Sequence, residues 1–278
     1  MAVGRERVPM HSTKSNPYLR AFATALVLAA WLFAIDPLHA QSDAVRRLAP
    51  QGELRAALIV SNSILVTRSP EGQFGGVLVD IANALATKLG ASLHLVPYNN
   101  VELYNRSIGK DEWDVALTAR DLSRVELIGF SEPFLVVDSG YVARAGSSLI
   151  SADDVDRTGI RVAVTEHSPT DGFLTRTLKK ATIVRLLPGT EEAREALSFG
   201  RADVYADSVQ LTSLIATQLG AARTLVGHFN SVNMTFTVPK SNAAALSTLN
   251  KFIDDAKHDG VIADAVKHAG LLGVRPAR

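Results

Sequence analysis

The chain has 278 residues, a formal net charge of +1, no cysteine, and 47% hydrophobic residues with 6% aromatics. That length holds one large domain or two lobes of about 100–150 residues each, with room for a sizeable core. The near-neutral balance removes the basic field that nucleic-acid binding needs, and the lack of cysteine excludes disulfides, thiolate metal sites, a cysteine nucleophile and a lipidated N-terminal cysteine.

In chain order, the first forty residues read as an address. Arg5, Arg7, Lys14 and Arg20 precede an apolar run over residues 21–35, followed by Asp36-Pro37-Leu38-His39-Ala40. A basic stretch, a short apolar core and a small residue before the cut define a secretory signal, with cleavage expected after Ala40. As a helix the run would span about 22 Å, short of the roughly 30 Å hydrocarbon core of a bilayer. Its removal would take away four basic and two acidic residues and leave a net charge of −1. The expected location of the mature protein is the periplasm.

Residues 54–60 form an apolar run of strand length, followed by the turn residues Ser69-Pro70-Glu71-Gly72. From Val77 the period changes: Leu78, Ile81, Ala82, Leu85, Ala86 and Leu89 recur at three- and four-residue steps. This predicts an amphipathic helix with Asp80 near its positive end and Gly90 as its stop. Strands are expected at 93–96, 114–117, 160–165, 182–187 and 202–206, and helices at 172–180, 191–199 and 243–258. Ser241 or Asn242 would cap the last helix. The alternation predicts an α/β fold with parallel sheets covered on both faces, and the sequence shows no internal repeat. Ligands of such sheets gather beyond the carboxyl ends of the strands, which directs attention to residues 61–65, 118–124, 165–171 and 207–210.

Enzymatic signatures are missing from the sequence. There is no Gly-x-Ser-x-Gly elbow, no phosphate-binding Walker loop and no Gly-x-Gly-x-x-Gly fingerprint. The histidines are dispersed without zinc-ligand spacing, so neither a metal nor a cofactor is expected.

An ordered set of short matches carries a family resemblance. It runs through Gly52-Glu53-Leu54-Arg55, Gly76-Val77-Leu78-Val79-Asp80-Ile81, Leu89-Gly90, Trp113-Asp114-Val115, and Arg124 with Phe130-Ser131-Glu132-Pro133-Phe134. It continues through Val162-Ala163-Val164, Gly200-Arg201-Ala202-Asp203-Val204, Asp207-Ser208 and Lys257-His258-Asp259-Gly260. Over residues 50–270 the chain resembles the family 3 bacterial extracellular solute-binding proteins, periplasmic receptors of polar amino acid ABC transporters. The resemblance implies a periplasmic-binding-protein-like fold of type II: two doubly wound lobes joined by two hinge strands and closing on a ligand. Lobe 1 would comprise residues 46–140 and 233–278 and lobe 2 residues 141–232, with crossings near 139–144 and 232–239. The implied partners are a small carboxylate, with an amino acid expected, and an inner-membrane ABC permease; the implied state is a monomer.

The resemblance also implies a ligand site. Arg124 matches the arginine that clamps the ligand carboxylate, a task suited to a planar guanidinium, although a surface pairing with Asp121 or Glu126 is the alternative. Asp207 matches the aspartate that receives the ligand ammonium, and a helix cap is its alternative. Ser168 matches a helix-start loop that binds the carboxylate from lobe 2. His167 lies in the same loop as a lining residue or an acid. Asn62 and Thr118 follow strand-like runs toward the cleft, with turn and strand-end hydrogen bonding as their alternatives. Tyr98 flanks the place where the family carries an aromatic platform, here held by Val101. Asp121 replaces a usual threonine, and Pro169 removes a possible N–H donor. An enzyme resembling cyclohexadienyl dehydratase is a second reading, with Glu166, His167 and Asp171 as candidate acid/base groups. A ligand-sensing subunit for a membrane receptor is a third.

Overall fold

The computed structural model describes residues 46–278, so the expected signal segment lies outside the described residues. The chain enters through β1 (Glu53–Ile59) and a short hairpin of β2 (Thr67–Arg68) and β3 (Phe74–Gly75). Helix α1 (Val77–Leu89) follows and buries the apolar face that its periodicity marks, from Val77 and Leu78 through Leu85 to Leu89. Gly90 ends it at φ 66°, returning its N–H to the carbonyls of Ala86 and Thr87. Gly76 has to be glycine: φ is +95° and a Cβ would lie 2.7 Å from the Leu65 carbonyl oxygen.

β4 (Ser92–Tyr98), α2 (Val101–Ser107) and β5 (Val115–Ala119) lead through a 3-10 turn (Leu122–Arg124) into the sixteen-residue β6 (Ile128–Ala143). The second group is β7 (Arg161–Thr165), α3 (Pro169–Thr177), β8 (Thr182–Leu186), α4 (Thr190–Ser198), β9 (Val204–Ser208), α5 (Val209–Leu219) and β10 (Arg223–Thr224). β11 (Asn230–Pro239) returns the chain to the first group, where α6 (Leu246–His258), α7 (Val261–Ala269) and β12 (Val274–Pro276) complete it.

The large sheet runs β4-β1-β5-β11-β6-β9-β7-β8. It is parallel in β4-β1-β5 and in β9-β7-β8, and antiparallel where β11 and β6 join the two. Buried side chains segregate in the same way. Leu54, Ile81, Leu117, Phe134, Phe236 and Ile253 belong to one core, with an aromatic cluster of Tyr98, Tyr104 and Trp113 on the other face of the strands. Val162, Leu174 and Val204 belong to a second core, with Ala163, Leu197 and Tyr205 behind them. β6 supplies Phe134 and Leu135 to the first set and Tyr141 to the second. The expected crossing segments lie in β6 and β11, and β12 adds a strap: it pairs with Leu135–Val137, Arg275 bonds Asp138, and the Leu272 N–H donates to Gln210 Oε1 of α5 at 2.6 Å.

Two of the expected helices are placed differently: α3 runs Pro169–Thr177 instead of 172–180, and the helix expected at 243–258 begins only at Leu246. α3 starts at Pro169, three residues early, because the Ser168 hydroxyl caps it and proline at the first helical position needs no partner for an N–H. The segment before His258 is not one helix. Residues Lys240–Ala245 form a 3-10 turn, and Asn242 donates to the Arg47 carbonyl at 2.9 Å instead of capping.

Candidate functional site

Strand registers locate the site. β5 ends beside β11, where the Arg120 N–H still donates to the Asn233 carbonyl, and Asn233 lies opposite Val136 of β6. β9 ends with Ser208 opposite Ser139 of the same strand. β5 runs parallel to β6 and β9 runs against it, so the carboxyl ends of β5 and β9 face each other along β6. From Val136 to Ser139 the separation is about 10 Å at roughly 3.3 Å per residue. β1 is parallel to β5 and β7 to β9, which puts the loops after all four strands on two opposed rims. One rim carries Asn62 and residues 118–124; the other carries residues 166–171 and Asp207.

On the first rim Arg124 is 9% exposed. Its Nη1 donates to Asn105 Oδ1 at 3.1 Å and its Nη2 to the Ala119 carbonyl at 3.2 Å. Nε lies 3.4 Å from Asp121 Oδ2 without hydrogen-bond geometry, and the guanidinium carbon sits 5.6 Å from the centre of the Tyr104 ring. A guanidinium has five N–H donors, so two well-formed bonds and a ring contact orient it while leaving donors for a carboxylate. The Asp121 pairing weighed from sequence is present, and the Ser123 hydroxyl, more than Arg124, holds that carboxyl below the usual range.

Thr118 is 1% exposed, and its Oγ1 has no hydrogen-bond partner. Asn62 closes the turn after β1, its carbonyl accepting from Leu65 and Val66 N–H groups. Tyr98 is inside the aromatic cluster: its hydroxyl donates to Glu112 Oε2 at 2.7 Å, and burial pushes that phenol up to about 12.

On the second rim His167 holds a left-handed backbone, φ 60°, with its side chain 89% exposed. That conformation presents its N–H to Asp171 Oδ2 at 3.1 Å, and the Ser168 hydroxyl accepts from the Asp171 N–H. Ser168 therefore spends its hydroxyl on the cap, and its own N–H donates to the Thr165 carbonyl. Asp171 is buried against Arg185, which with the His167 N–H holds the carboxyl below its ordinary range. Asp207 behaves oppositely: burial raises its carboxyl, although the Ser208 N–H and the Tyr205 hydroxyl both donate to it. Ser208, not Asp207, caps α5.

Sequence reasoning gave no site role to Asn105, Thr165 or Tyr205. The helix that carries Asn105 announces itself only through Asn100, whose side chain accepts from the Leu103 N–H. A depression of about 320 Å³ opens at the amino ends of β1 and β5 between Arg47, Glu53, Arg55, Asp111 and Asn242. Its Arg55 is already paired with Asp111 and Asp114, and it lies at the wrong end of the strands.

Known proteins are similar to this chain in sequence or in fold. A cyclohexadienyl dehydratase of Pseudomonas aeruginosa is 25% identical over 244 residues, covering 85% of this chain and 90% of that one. The crystal structure of an ancestral amino acid-binding protein, described as a precursor of cyclohexadienyl dehydratase, superimposes with a TM-score of 0.61 at 20% identity, covering 81% and 98%. An amino acid ABC transporter substrate-binding protein from Streptococcus pneumoniae, bound to L-arginine, gives a TM-score of 0.59 at 18% identity, covering 79% and 95%. At those identities the two structures speak for the fold alone. Residues 61–269 match the profile of the bacterial extracellular solute-binding proteins, family 3, and the chain belongs to that family.

Proposed function

We propose that the protein is the periplasmic solute-binding component of an ABC importer, capturing an amino acid or a similar small carboxylate between lobes formed by residues 46–140 with 233–278 and by residues 141–232. The observation that carries this reading is the immobilised Arg124 guanidinium at the end of β5, set across β6 from the Asp207 carboxyl. One side of the ligand would meet a cation and the other an anion. Leaving either charge buried without its counterpart costs on the order of 3–5 kcal/mol, which selects ligands bearing both a carboxylate and an ammonium. Among the described residues no helix is long and apolar enough to cross a membrane, and the family is named for extracellular proteins. An export signal over residues 1–40 and a membrane permease as partner complete the reading.

A second reading, a dehydratase on the same scaffold, is favoured by the Pseudomonas aeruginosa relative. Asp171, ion-paired and shifted downward, is poorly suited to be its general acid. Thermal-shift screening against amino acids and organic acids separates the two. A transport receptor gains about 2.7 kcal/mol at a ligand concentration one hundred times Kd, without consuming the ligand. Steady loss of prephenate or arogenate at catalytic protein concentrations would replace the first reading with the second.

A further inference from the structure

Tyr205 is the second residue of β9, 2% exposed, where packing alone would be satisfied by phenylalanine. Its hydroxyl stands between two groups, 3.0 Å from Thr165 Oγ1 on β7 and 3.1 Å from Asp207 Oδ2. Residues 205 and 207 share a face of the strand, so the phenol runs beneath the carboxyl and reaches it from the core side. The Ser208 N–H donates to the other oxygen at 2.7 Å. The Tyr205 hydroxyl and the Ser208 N–H thus reach one carboxylate oxygen each, and a carboxylate has lone pairs for further donors from the open side. The neighbouring elements add no charge: β6 places Gly140 opposite Asp207, β7 contributes Thr165 through the tyrosine, and Ser208 is the remaining contact.

We propose that Tyr205 is the positioning residue of the cation-receiving rim: fixed by Thr165, its hydroxyl holds the Asp207 carboxylate in the one orientation that meets the primary ammonium of an amino-bearing acid. This rests on the reading of Asp207 as the ligand's ammonium acceptor. The torsion that turns a carboxyl about its Cβ–Cγ bond is soft, so burial alone does not set the direction of the lone pairs. A donor from the core side does. The same bond favours the ionised carboxyl against the burial that raises it, so the tyrosine keeps the acceptor charged over a wider pH range.

Tyr205→Phe removes one oxygen and leaves the ring. In the ligand-free protein, the NMR titration midpoint of the Asp207 carboxyl should rise by about 0.5 or more, because the ionised form loses a donated hydrogen bond. Thr165→Val, which keeps the phenol but frees it to rotate, should raise it less. In calorimetry Tyr205→Phe should weaken L-arginine about tenfold and 5-guanidinopentanoate, the same acid without its α-amine, less than twofold. An unchanged Asp207 midpoint in folded Tyr205→Phe overturns the proposal, as does equal weakening of both acids. If the wild type binds neither acid and no other amino acid, the functional reading falls, while the ligand-free titration still decides whether Tyr205 holds Asp207.

Discussion

Arg124 is held between groups of its own chain before any ligand arrives: an amide oxygen from α2, a backbone carbonyl from the end of β5 and the face of Tyr104. Pre-orientation of this kind reduces the ordering that binding would otherwise require. Arg124→Ala should weaken a carboxylate ligand at least about a hundredfold in calorimetry, equivalent to roughly 2.7 kcal/mol or more, while the far-ultraviolet circular dichroism stays unchanged. Unchanged affinity would remove this residue from the site. His167 shows the reverse economy, a backbone held in a costly region so that its N–H reaches Asp171. A β-branched side chain tolerates that region poorly, so His167→Val should cost about 1–2 kcal/mol in urea unfolding and His167→Gly less than about 0.5 kcal/mol. Equal stabilities of the two variants would show that the backbone relaxes there.

At the level of elements, the two parallel strand groups carry one device twice. Arg55 bonds Asp114 through its backbone N–H, Nε and Nη2, and the Asp114 N–H returns to the Arg55 carbonyl. Arg161 and Asp203 repeat every one of those bonds between β7 and β9. The next residues pair in the same register, Ala56 with Val115 and Val162 with Val204. The repeat escaped the sequence because only an arginine, an aspartate and their aliphatic neighbours recur, too few letters to stand out. The Arg161 hydrogen bonds hold the Asp203 carboxyl down to about 2, against an ordinary value of 3.8. A carboxyl lowered on folding stabilises the protein above the ordinary value and loses that contribution as the pH falls through the lowered one. Asp203→Asn should therefore cost about 1–2 kcal/mol at pH 7, with partial exposure of Arg161 screening the pair. Its deficit in urea midpoint should shrink between pH 4 and about pH 2. A deficit independent of pH would mean that packing, not charge, holds this corner.

Across the molecule, β6 and β11 run between the two cores, with β12 and the Arg275–Asp138 pair laid along β6. On the proposed two-lobe reading, rotation about the stretch of β6 between the rims would change their spacing. Ligand saturation should then lower the radius of gyration in solution scattering, as expected for hinge closure. Superimposable curves with and without a ligand that stabilises the protein would exclude closure as the means of capture. α1 was readable because apolar positions from Leu78 to Leu89 recur at three- and four-residue steps along a thirteen-residue helix, whereas α2, with seven residues in all, is too short for a period to show. Asn105 and Arg124 are 19 residues apart, and no local pattern links them.

Local patterns in the chain are enough to set α1 with its stop at Gly90, most of the short parallel strands, and the short motifs of its family, because periodicity and capping act over a few residues. They also place Arg124 and Asp207 at strand ends. Which acceptors orient the arginine, that Ser168 is committed to its helix, and that Tyr205 reaches beneath Asp207 were decided only when the sheet brought distant strands together. A hydrogen bond depends on distance and direction in space, and separation along the chain does not encode either.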